Sequence, residues 1–339
     1  MSEIFKIGFA CKFHSDTKTD ADFFNFNTTT ARFLNTLSDT EKVSKLHNLA
    51  LGNIEKLERL LLYVNTLNEP LKMMRIGSDL FPMYTHAVSS EAYADYDFKI
   101  EVERKLGYLG EFARLHKIRL SMHPGQFTVL GSMNENTVQA SIRELEYHTD
   151  IFRTMGYAGW HPDGLAINIH GGSGKVPLSI FINHVKRCSD DCRNWLTVEN
   201  DEFSFDIKSL CTISDHIAIV PDLHHEWIRN GHYLDVTDRV FKIVLDSWRG
   251  IRPKLHCAMS REDLFDTHTE SLHKPVLHEC LAKGRTKSAL RAHSDSSWNN
   301  ALVEYYATFL PAFDIMCEMK WKQVGAAEFY NKLCQFKRP

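Results

Sequence analysis

Short hydrophobic runs alternate with longer amphipathic segments along the whole chain. Segments such as 41–68, 141–156 and 235–248 repeat apolar residues at three- and four-residue steps, which predicts helices. Strands that alternate with helices form parallel sheets. The pattern therefore predicts an α/β protein, a (β/α)8 TIM barrel in a single domain over residues 1–339. The eight predicted strands are 4–9, 72–77, 117–122, 165–169, 196–199, 217–222, 254–259 and 313–318.

The chain is longer than such a barrel needs. It has 339 residues, and a TIM barrel typically needs about 250. We place the surplus in the first connection, 10–70, and in an insertion at roughly 258–292, which is polar and contains HTESLHKP.

Composition and charge narrow the class of protein. Hydrophobic residues make up 43% and charged residues 24%, as in ordinary globular enzymes. No apolar run is long enough to span a membrane, and the N-terminus lacks a secretory signal pattern. Eight cysteines without the spacing of a disulfide framework fit a reducing compartment, so we expect a cytoplasmic protein. A net charge of −3 argues against a broadly basic surface for nucleic acid but allows a local basic groove.

Imidazole and carboxylate groups lie at the end of each predicted strand from the third to the eighth. In IAIVPDLHHEW (217–227), for example, four apolar residues and a proline lead into Asp222 and His225. A buried charge needs a compensating partner, and the carboxyl ends of barrel strands converge on one mouth. The groups expected to meet there are His123, His170, Glu199, Asp222, His225, His256 and Glu318, with His293 from the loop before the last helix.

These nitrogen and oxygen ligands suit Zn²⁺, Mn²⁺ or Fe²⁺ better than Ca²⁺. Eight candidates exceed the three or four ligands of one zinc ion, so the sequence predicts a multinuclear cluster. His224 should point away from its neighbour His225. His268 and His273, in the insertion, are alternatives to His293.

The segment HGGSGK (170–175) resembles a phosphate-binding loop but departs from the P-loop pattern at both ends. Its glycines allow either the close approach of a ligand or a tight turn. Lys175 is then either a phosphate contact or a solvated lysine.

Several motifs, in this order along the chain, resemble those of the UV damage endonuclease family: SMHPGQF, NIHGGSGK, VEND, PDLHH, KLH, RAHSD and MCEMKWK. The resemblance extends from IGFAC to EMKWKQVGA and also includes MRIGSDLFP (74–82). It implies a metal-dependent DNA repair nuclease on a TIM barrel. Such an enzyme cuts the phosphodiester immediately 5′ of UV photoproducts, namely cyclobutane pyrimidine dimers and 6-4 photoproducts, and leaves a 3′-hydroxyl. The implied partner is UV-damaged double-stranded DNA, and access to it from one side suits a monomer.

The resemblance also implies roles for individual residues. The eight candidate ligands match the family's metal ligands and would hold two to three divalent ions, Mn²⁺ first, with Zn²⁺, Mg²⁺ or Co²⁺ as alternatives. Lys254 matches a lysine that the family carries in carboxylated form near the metals; the alternative is an ammonium group that points away from them. The implied catalytic set is Glu199, Lys254, His256 and Glu318.

Four further residues are implied to contact DNA or the lesion. Gln126 and Phe127 match a Gln-Tyr pair that probes the duplex, and Phe127 keeps the stacking surface without the hydroxyl. Phe9 and Phe13 stand where the family has a tyrosine and an asparagine that face the lesion. The loss of these polar groups puts the range of accepted lesions in question.

Three other functions remain open from the sequence. A sugar isomerase or epimerase would use the same barrel, but usually two metals and a compact pocket. An apurinic/apyrimidinic-site endonuclease would share the cluster, and only the wording of the motifs favours UV damage. A damage-binding protein without catalysis would not require the complete set of ligands.

Overall fold

All eight predicted strands are present in the computed structural model, which describes residues 5–336. Ile4, which belongs to the first predicted strand, lies outside the described residues. Almost every strand residue is buried, as the apolar runs predicted. The strands are β1 Ile7–Ala10, β2 Met73–Ile76, β3 Arg119–Met122, β4 Ala166–His170, β5 Leu196–Glu199, β6 Ala218–Val220, β7 Lys254–Cys257 and β8 Asp314–Cys317.

Helices fill the connections between the strands. Side-chain caps explain several helix starts: Ser38 and Glu41 form a capping box at α3, and Asn134 accepts from Thr137 N at α6, which therefore begins before the predicted residue 141. The helices are α1 Lys18–Phe24, α2 Ala31–Leu34, α3 Asp39–Thr66, α4 Ser90–Ala94, α5 Tyr96–Leu115, α6 Glu135–Thr154, α7 Leu178–Val185, α8 Asp190–Trp195, α9 Ile207–Leu210, α10 Leu223–Asn230, α11 Arg239–Ser247, α12 Thr267–Glu270, α13 Leu277–Ala282, α14 Lys287–Leu290, α15 Asn300–Ala307 and α16 Lys322–Phe336.

The strands form one parallel sheet in the order β6-β5-β4-β3-β2-β1-β8-β7. The two edges approach each other where Asp222 and His256 form a bridge and His256 N donates to Pro221 O at 2.8 Å. The sheet is thus a nearly closed barrel, and the predicted TIM barrel is confirmed. All strands point the same way, so their carboxyl ends share one mouth.

Polar side chains occupy the inside of the barrel. Arg119 Nη1 donates to Asp314 Oδ2 at 2.6 Å, and Arg252 Nε donates to Asp314 Oδ1 at 2.7 Å. These pairs compensate the cost of burying charge below the mouth. Lys254 lies in the same interior and is fully buried.

The position of Phe9 on the outer face of β1 contradicts one prediction. Phe9 is 2% exposed and packs in the main hydrophobic core together with Ile7, whereas Ala10 contacts Met73 and Met316 on the inner side. Successive strand residues point to opposite faces, so the Phe9 ring faces the helices and is closed off from DNA. The predicted contact of Phe9 with the lesion is therefore wrong.

The insertion predicted at 258–292 contains α12, α13 and α14. Leu277, Cys280 and Leu290 form a small hydrophobic cluster with Trp227 and Ile228 of α10. The insertion thus packs against the helix that begins beside Asp222. Its limits, and the assignment of the chain to a single domain, stay predictions.

None of the helices within residues 5–336 combines the length and the apolar character needed to cross a bilayer.

Candidate metal centre

Three groups of potential metal ligands lie side by side at the mouth of the barrel. Within each group the ligand atoms lie within 4.8 Å of one another. Glu199 belongs to the first and second groups, and Asp222 to the second and third, so two carboxylates link the three groups into one chain. The groups are His123, His170 and Glu199; Glu199, Asp222 and His225; and Asp222, His256 and Glu318.

The strands bring these residues together from distant parts of the sequence. His170 and Glu199 are the last residues of β4 and β5 and are paired in register. Asp222 caps α10 by accepting from His225 N at 2.7 Å, which places the side chain of His225 beside it. His256 lies within β7, and Glu318 directly follows β8.

His293 lies next to this chain of groups. Its Nδ1 donates to Glu318 O at 3.0 Å and lies 4.0 Å from Glu318 Oε2. His123 similarly donates from Nδ1 to Pro124 O at 3.0 Å. In the neutral form of both rings, Nε2 then carries the lone pair that a metal ion requires.

His224 and the two alternatives to His293 lie outside the three ligand groups. His224 is buried and turned away, with its Nε2 3.1 Å from Leu290 O, as predicted for a neighbour of His225. His268 and His273 are exposed in the insertion and belong to none of the three groups at the mouth.

Buried acceptor atoms in the chain of groups lack hydrogen-bond partners. Asp222 Oδ2 and His170 Nδ1 are buried and unpartnered. Leaving a buried acceptor unsatisfied costs free energy, and a metal ion satisfies such lone pairs directly. These buried clusters can therefore bind metal ions, and the donor set suits the transition metals predicted from the sequence.

The pKa values of the three carboxyl groups diverge. Burial opposes the charge of Glu199, but His256, His123 and His170 outweigh it and hold its pKa well below the ordinary value. Glu318 is likewise opposed by burial, and Arg75 and His256 lower its pKa. In contrast, burial raises the pKa of Asp222 to about 8, assisted by the negative charges of Glu199 and Glu318.

Arg75 is a component of the site that the sequence reading missed. Its Nη2 donates to Glu318 Oε1 at 2.6 Å and contacts His256 Nε2 at 3.0 Å. Because a guanidinium can only donate, His256 accepts at Nε2 and carries its proton on Nδ1 when neutral. A metal ion held at Nδ1 would take the place of that proton, and the Arg75–His256 bond would then be lost. The available signal was an arginine in the interior of the run KMMRIG, between Met74 and Ile76.

Two asparagines that were also missed hold the carboxylates. Asn168 donates to Glu199, and Asn200 exchanges two hydrogen bonds with the backbone of Asp222, at 2.7 and 2.9 Å. Asn200 lies within the quoted motif VEND, where only Glu199 was given a role. These amides orient the residues that link the groups.

Lys254 is fully buried, and its Nζ has no hydrogen-bond partner. Burial holds the pKa of its amine well below the ordinary value, and the positive charges of Arg75 and Arg119 add to the effect. Nε of Arg75 and Nη2 of Arg119 are also buried without partners. Three buried nitrogen donors, on Lys254, Arg75 and Arg119, therefore lack acceptors within the barrel interior.

The loops after β3 and β4 form part of the rim. Gln126 and Phe127 are exposed on the first loop, with Phe127 84% exposed. In the second loop, a Cβ at Gly172 would lie 2.7 Å from Gly131 Cα, so this glycine permits contact between two loops. Lys175 is exposed beyond it.

Phe13 is partly buried rather than open to the mouth. Its ring stacks on Phe24 at 4.2 Å and meets Tyr63 edge-on at 5.1 Å. These contacts attach α1 to α3 and favour a structural role for the ring.

The fold and the site together define a (β/α)8 barrel with a candidate multinuclear centre of histidines and carboxylates at its mouth. The chain belongs to the UV-endonuclease UvdE family, whose model matches residues 5–338. The family predicted from the motifs is confirmed.

Individual relatives agree with this assignment. The UV DNA damage endonuclease of Clostridium perfringens (strain 13 / Type A) is 27% identical over 337 residues, covering 97% of this chain and 70% of that protein. The UV DNA damage endonuclease of Bacillus cereus (strain B4264) is 28% identical over 312 residues, covering 88% of this chain and 86% of that protein. The crystal structure of SacUVDE superimposes with a TM-score of 0.73 at 24% identity, covering 99% of this chain and all (100%) of that one, and shows the same fold.

Proposed function

We propose that this protein is a metal-dependent endonuclease that nicks double-stranded DNA immediately 5′ of UV photoproducts and leaves a 3′-hydroxyl. The proposal rests above all on the chain of three ligand groups, at the mouth of the barrel, in a member of the UV-endonuclease UvdE family. The exposed Gln126 and Phe127 beside this centre support a DNA substrate. The protein acts as a monomer in this proposal.

Two to three divalent ions, Mn²⁺ with Zn²⁺, Mg²⁺ or Co²⁺ as alternatives, would be held by the eight predicted ligands. Bound ions of this kind lower the pKa of a water molecule and stabilise negative charge on phosphate oxygens. Glu199 and Asp222 would each serve two neighbouring ions, because each belongs to two groups. Arg75, Asn168 and Asn200 hold the carboxylates in place.

Formal charge favours three ions over two. Glu199, Asp222, Glu318 and a carboxylated Lys254 carry four negative charges. Three divalent ions then leave two positive charges, which can receive one phosphodiester and one hydroxide. Two ions would leave a neutral centre with less attraction for phosphate.

Recognition of damage is assigned to the exposed loop after β3. The Phe127 ring can replace base stacking that is lost when a damaged dinucleotide leaves the duplex. Gln126 offers hydrogen bonds next to it, and Lys175 supplies a positive charge on the neighbouring loop. With Phe9 buried and Phe13 packed on Phe24, the polar contacts expected of the family at those two positions are absent.

The experiment that tests the function maps the nick in an end-labelled, UV-irradiated duplex incubated with protein and Mn²⁺. We expect cleavage directly 5′ of the photoproduct and none in undamaged DNA. Cleavage only at abasic sites would instead support an apurinic/apyrimidinic-site endonuclease. Binding without any cleavage would support a damage-binding protein.

We expect Lys254→Met to lower nicking at least about 100-fold while the metal-free protein is as stable as the wild type or more stable. The reason is that the variant removes an anionic group near the metals but also removes a buried amine whose solvation is lost on folding. Nicking rates and thermal melting of chelated protein measure the two effects. The exposed Lys242→Met, on α11, is the matched control. Unchanged nicking would show that Lys254 has no role in the centre.

A further inference from the structure

A cleft of about 540 Å³ leads from the surface to the metal centre. His123, His170 and His225 contribute to its lining, and the loop after β3 forms one side. The lining also includes Phe203 and Arg291, neither of which was given a role from the sequence, although Arg291 opens the motif RAHSD. The volume lies within the range of about 300–1000 Å³ that is usual for ligand-binding cavities.

Phe203 presents its ring to solvent at the edge of this cleft. The side chain is 71% exposed, although it lies in a short loop that starts directly after Glu199. Asp201 Oδ1 accepts from the backbone N–H groups of Phe203 and Ser204, at 2.7 and 2.5 Å. Gly174 packs so closely that a Cβ there would lie 2.9 Å from Ser204 Cα. The loop therefore holds an apolar ring in water, where a stacked partner would cover it.

Arg291 lies directly beside this ring. Its guanidinium carbon is 5.1 Å from the ring centre of Phe203, and its Nη1 donates to Glu202 Oε1 at 2.8 Å. Among the described residues that line the cleft, Arg291 is the single lysine or arginine. The other N–H groups of its guanidinium make no hydrogen bond within residues 5–336, so they can bind an incoming anion.

Glu202 connects this pair to the metal centre. Its side chain is 8% exposed; Oε1 accepts from Arg291, and the other oxygen, Oε2, lies 3.7 Å from Nε2 of His225. Arg291 is thus held in place by a buried carboxylate that also faces a predicted metal ligand. The aromatic ring, the cation and the candidate catalytic centre form one continuous surface.

We propose that Phe203 and Arg291 form a nucleotide subsite in which the ring stacks on one nucleobase of the DNA and the guanidinium contacts an adjacent phosphate. The inference rests on the proposed function and adds a second DNA-binding element to Gln126 and Phe127. An exposed aromatic ring beside a cation is the combination that binds unpaired nucleotides. The nearby metal ligands place this nucleotide next to the phosphodiester that is cut.

Steady-state nicking of a duplex with a single thymine dimer tests the subsite. Phe203→Ala should raise KM about tenfold and change kcat less than about threefold, because stacking is lost in the ground state and the transition state alike. Phe203→Trp should restore KM to within about twofold. Tyr108→Ala, at a 55% exposed aromatic on the outer side of α5, is the control and should match the wild type. Phe127→Ala, measured alongside, gives the effect of the proposed stacking ring on the loop after β3.

The arginine is tested by the salt dependence of binding to the same duplex. Arg291→Ala should make the slope of log affinity against log salt less steep by about one, which corresponds to one phosphate contact. Arg249→Ala is the matched control, because Arg249 stacks on Trp160 at 3.8 Å in the connection before β7. Equal slopes for the two variants would overturn the phosphate contact.

The outcomes separate the subsite from the proposed function. Failure of the wild type to nick the damaged duplex would overturn the function and the subsite together. A normal wild type with Phe203→Ala indistinguishable from Tyr108→Ala would overturn the subsite alone. Loss of bound metal or a lower melting temperature in Phe203→Ala would assign the ring to loop structure and would also overturn it.

Discussion

Glu199→Gln is expected to lower the rate of nicking at least about 1000-fold, equivalent to roughly 4 kcal/mol. Glu199 is 1% exposed and belongs to two of the three ligand groups. An amide has one acceptor oxygen and no negative charge, so it cannot link two cations. The variant should also bind less metal than the wild type, by at least one equivalent. Elemental analysis after gel filtration measures the metal content.

Binding of damaged duplex should survive this substitution, because Gln126, Phe127 and the rim of the cleft are unchanged. Fluorescence anisotropy with the damaged duplex checks this point. Glu144→Gln provides a control at a partly buried carboxylate on α6 that accepts from Thr85. If Glu199→Gln nicks at the wild-type rate, Glu199 does not belong to the catalytic centre.

Removal of metal is expected to lower the melting temperature on the order of 10 °C or more at pH 8. Each ion present at about 1000 times its Kd contributes about 4 kcal/mol, and a large domain loses roughly 2–4 °C per kcal/mol. Without metal, the clustered carboxylates of Glu199, Asp222 and Glu318 also repel one another. Differential scanning calorimetry before and after chelation, followed by metal replacement, measures the effect.

The decrease in melting temperature on chelation should become smaller as the pH falls from 8 to 6. Asp222 has a pKa raised to about 8 in the metal-free protein, mainly by burial. A group whose pKa is higher in the folded than in the unfolded state stabilises the folded protein at low pH. That contribution is lost as the pH rises through the folded-state pKa of about 8. The metal-free form therefore gains stability towards pH 6, while protons compete with metal for the same carboxylate.

An equal decrease in melting temperature on chelation at pH 6 and pH 8 would contradict this role of Asp222. Asp222→Asn tests the same point, because its metal-free form should lose the pH dependence that Asp222 contributes between pH 6 and 8. No change of melting temperature on chelation at any pH would show that metal ions do not hold the mouth together.

Hydrophobic periodicity alone was enough to predict the barrel. The eight apolar runs are buried strands because each must be covered on both faces, and the amphipathic segments between them cover the outer face. Seven of the eight candidate ligands could be brought together from the sequence as well, since they lie at or near the carboxyl ends of strands, and parallel strands bring those ends together whatever their separation in sequence.

Local pattern could not assign the residues whose roles depend on which face of a strand they occupy or on which loops meet. Phe9 was predicted to contact DNA because of its place in a motif, yet strand alternation and the helix packing turn it into the core. Arg75 lies 243 residues before Glu318, and only closure of the sheet between β1 and β8 brings them to 2.6 Å.

The sequence by itself determined the fold class, the family and the candidate ligands, because these follow from periodicity, from ordered motifs and from residue types near strand ends. The tertiary structure alone decided which carboxylates are shared between groups, which cations surround Lys254 and which side chains face the cleft. Those relations depend on distances of a few ångströms between residues far apart in the chain, and the strand register and loop packing set such distances.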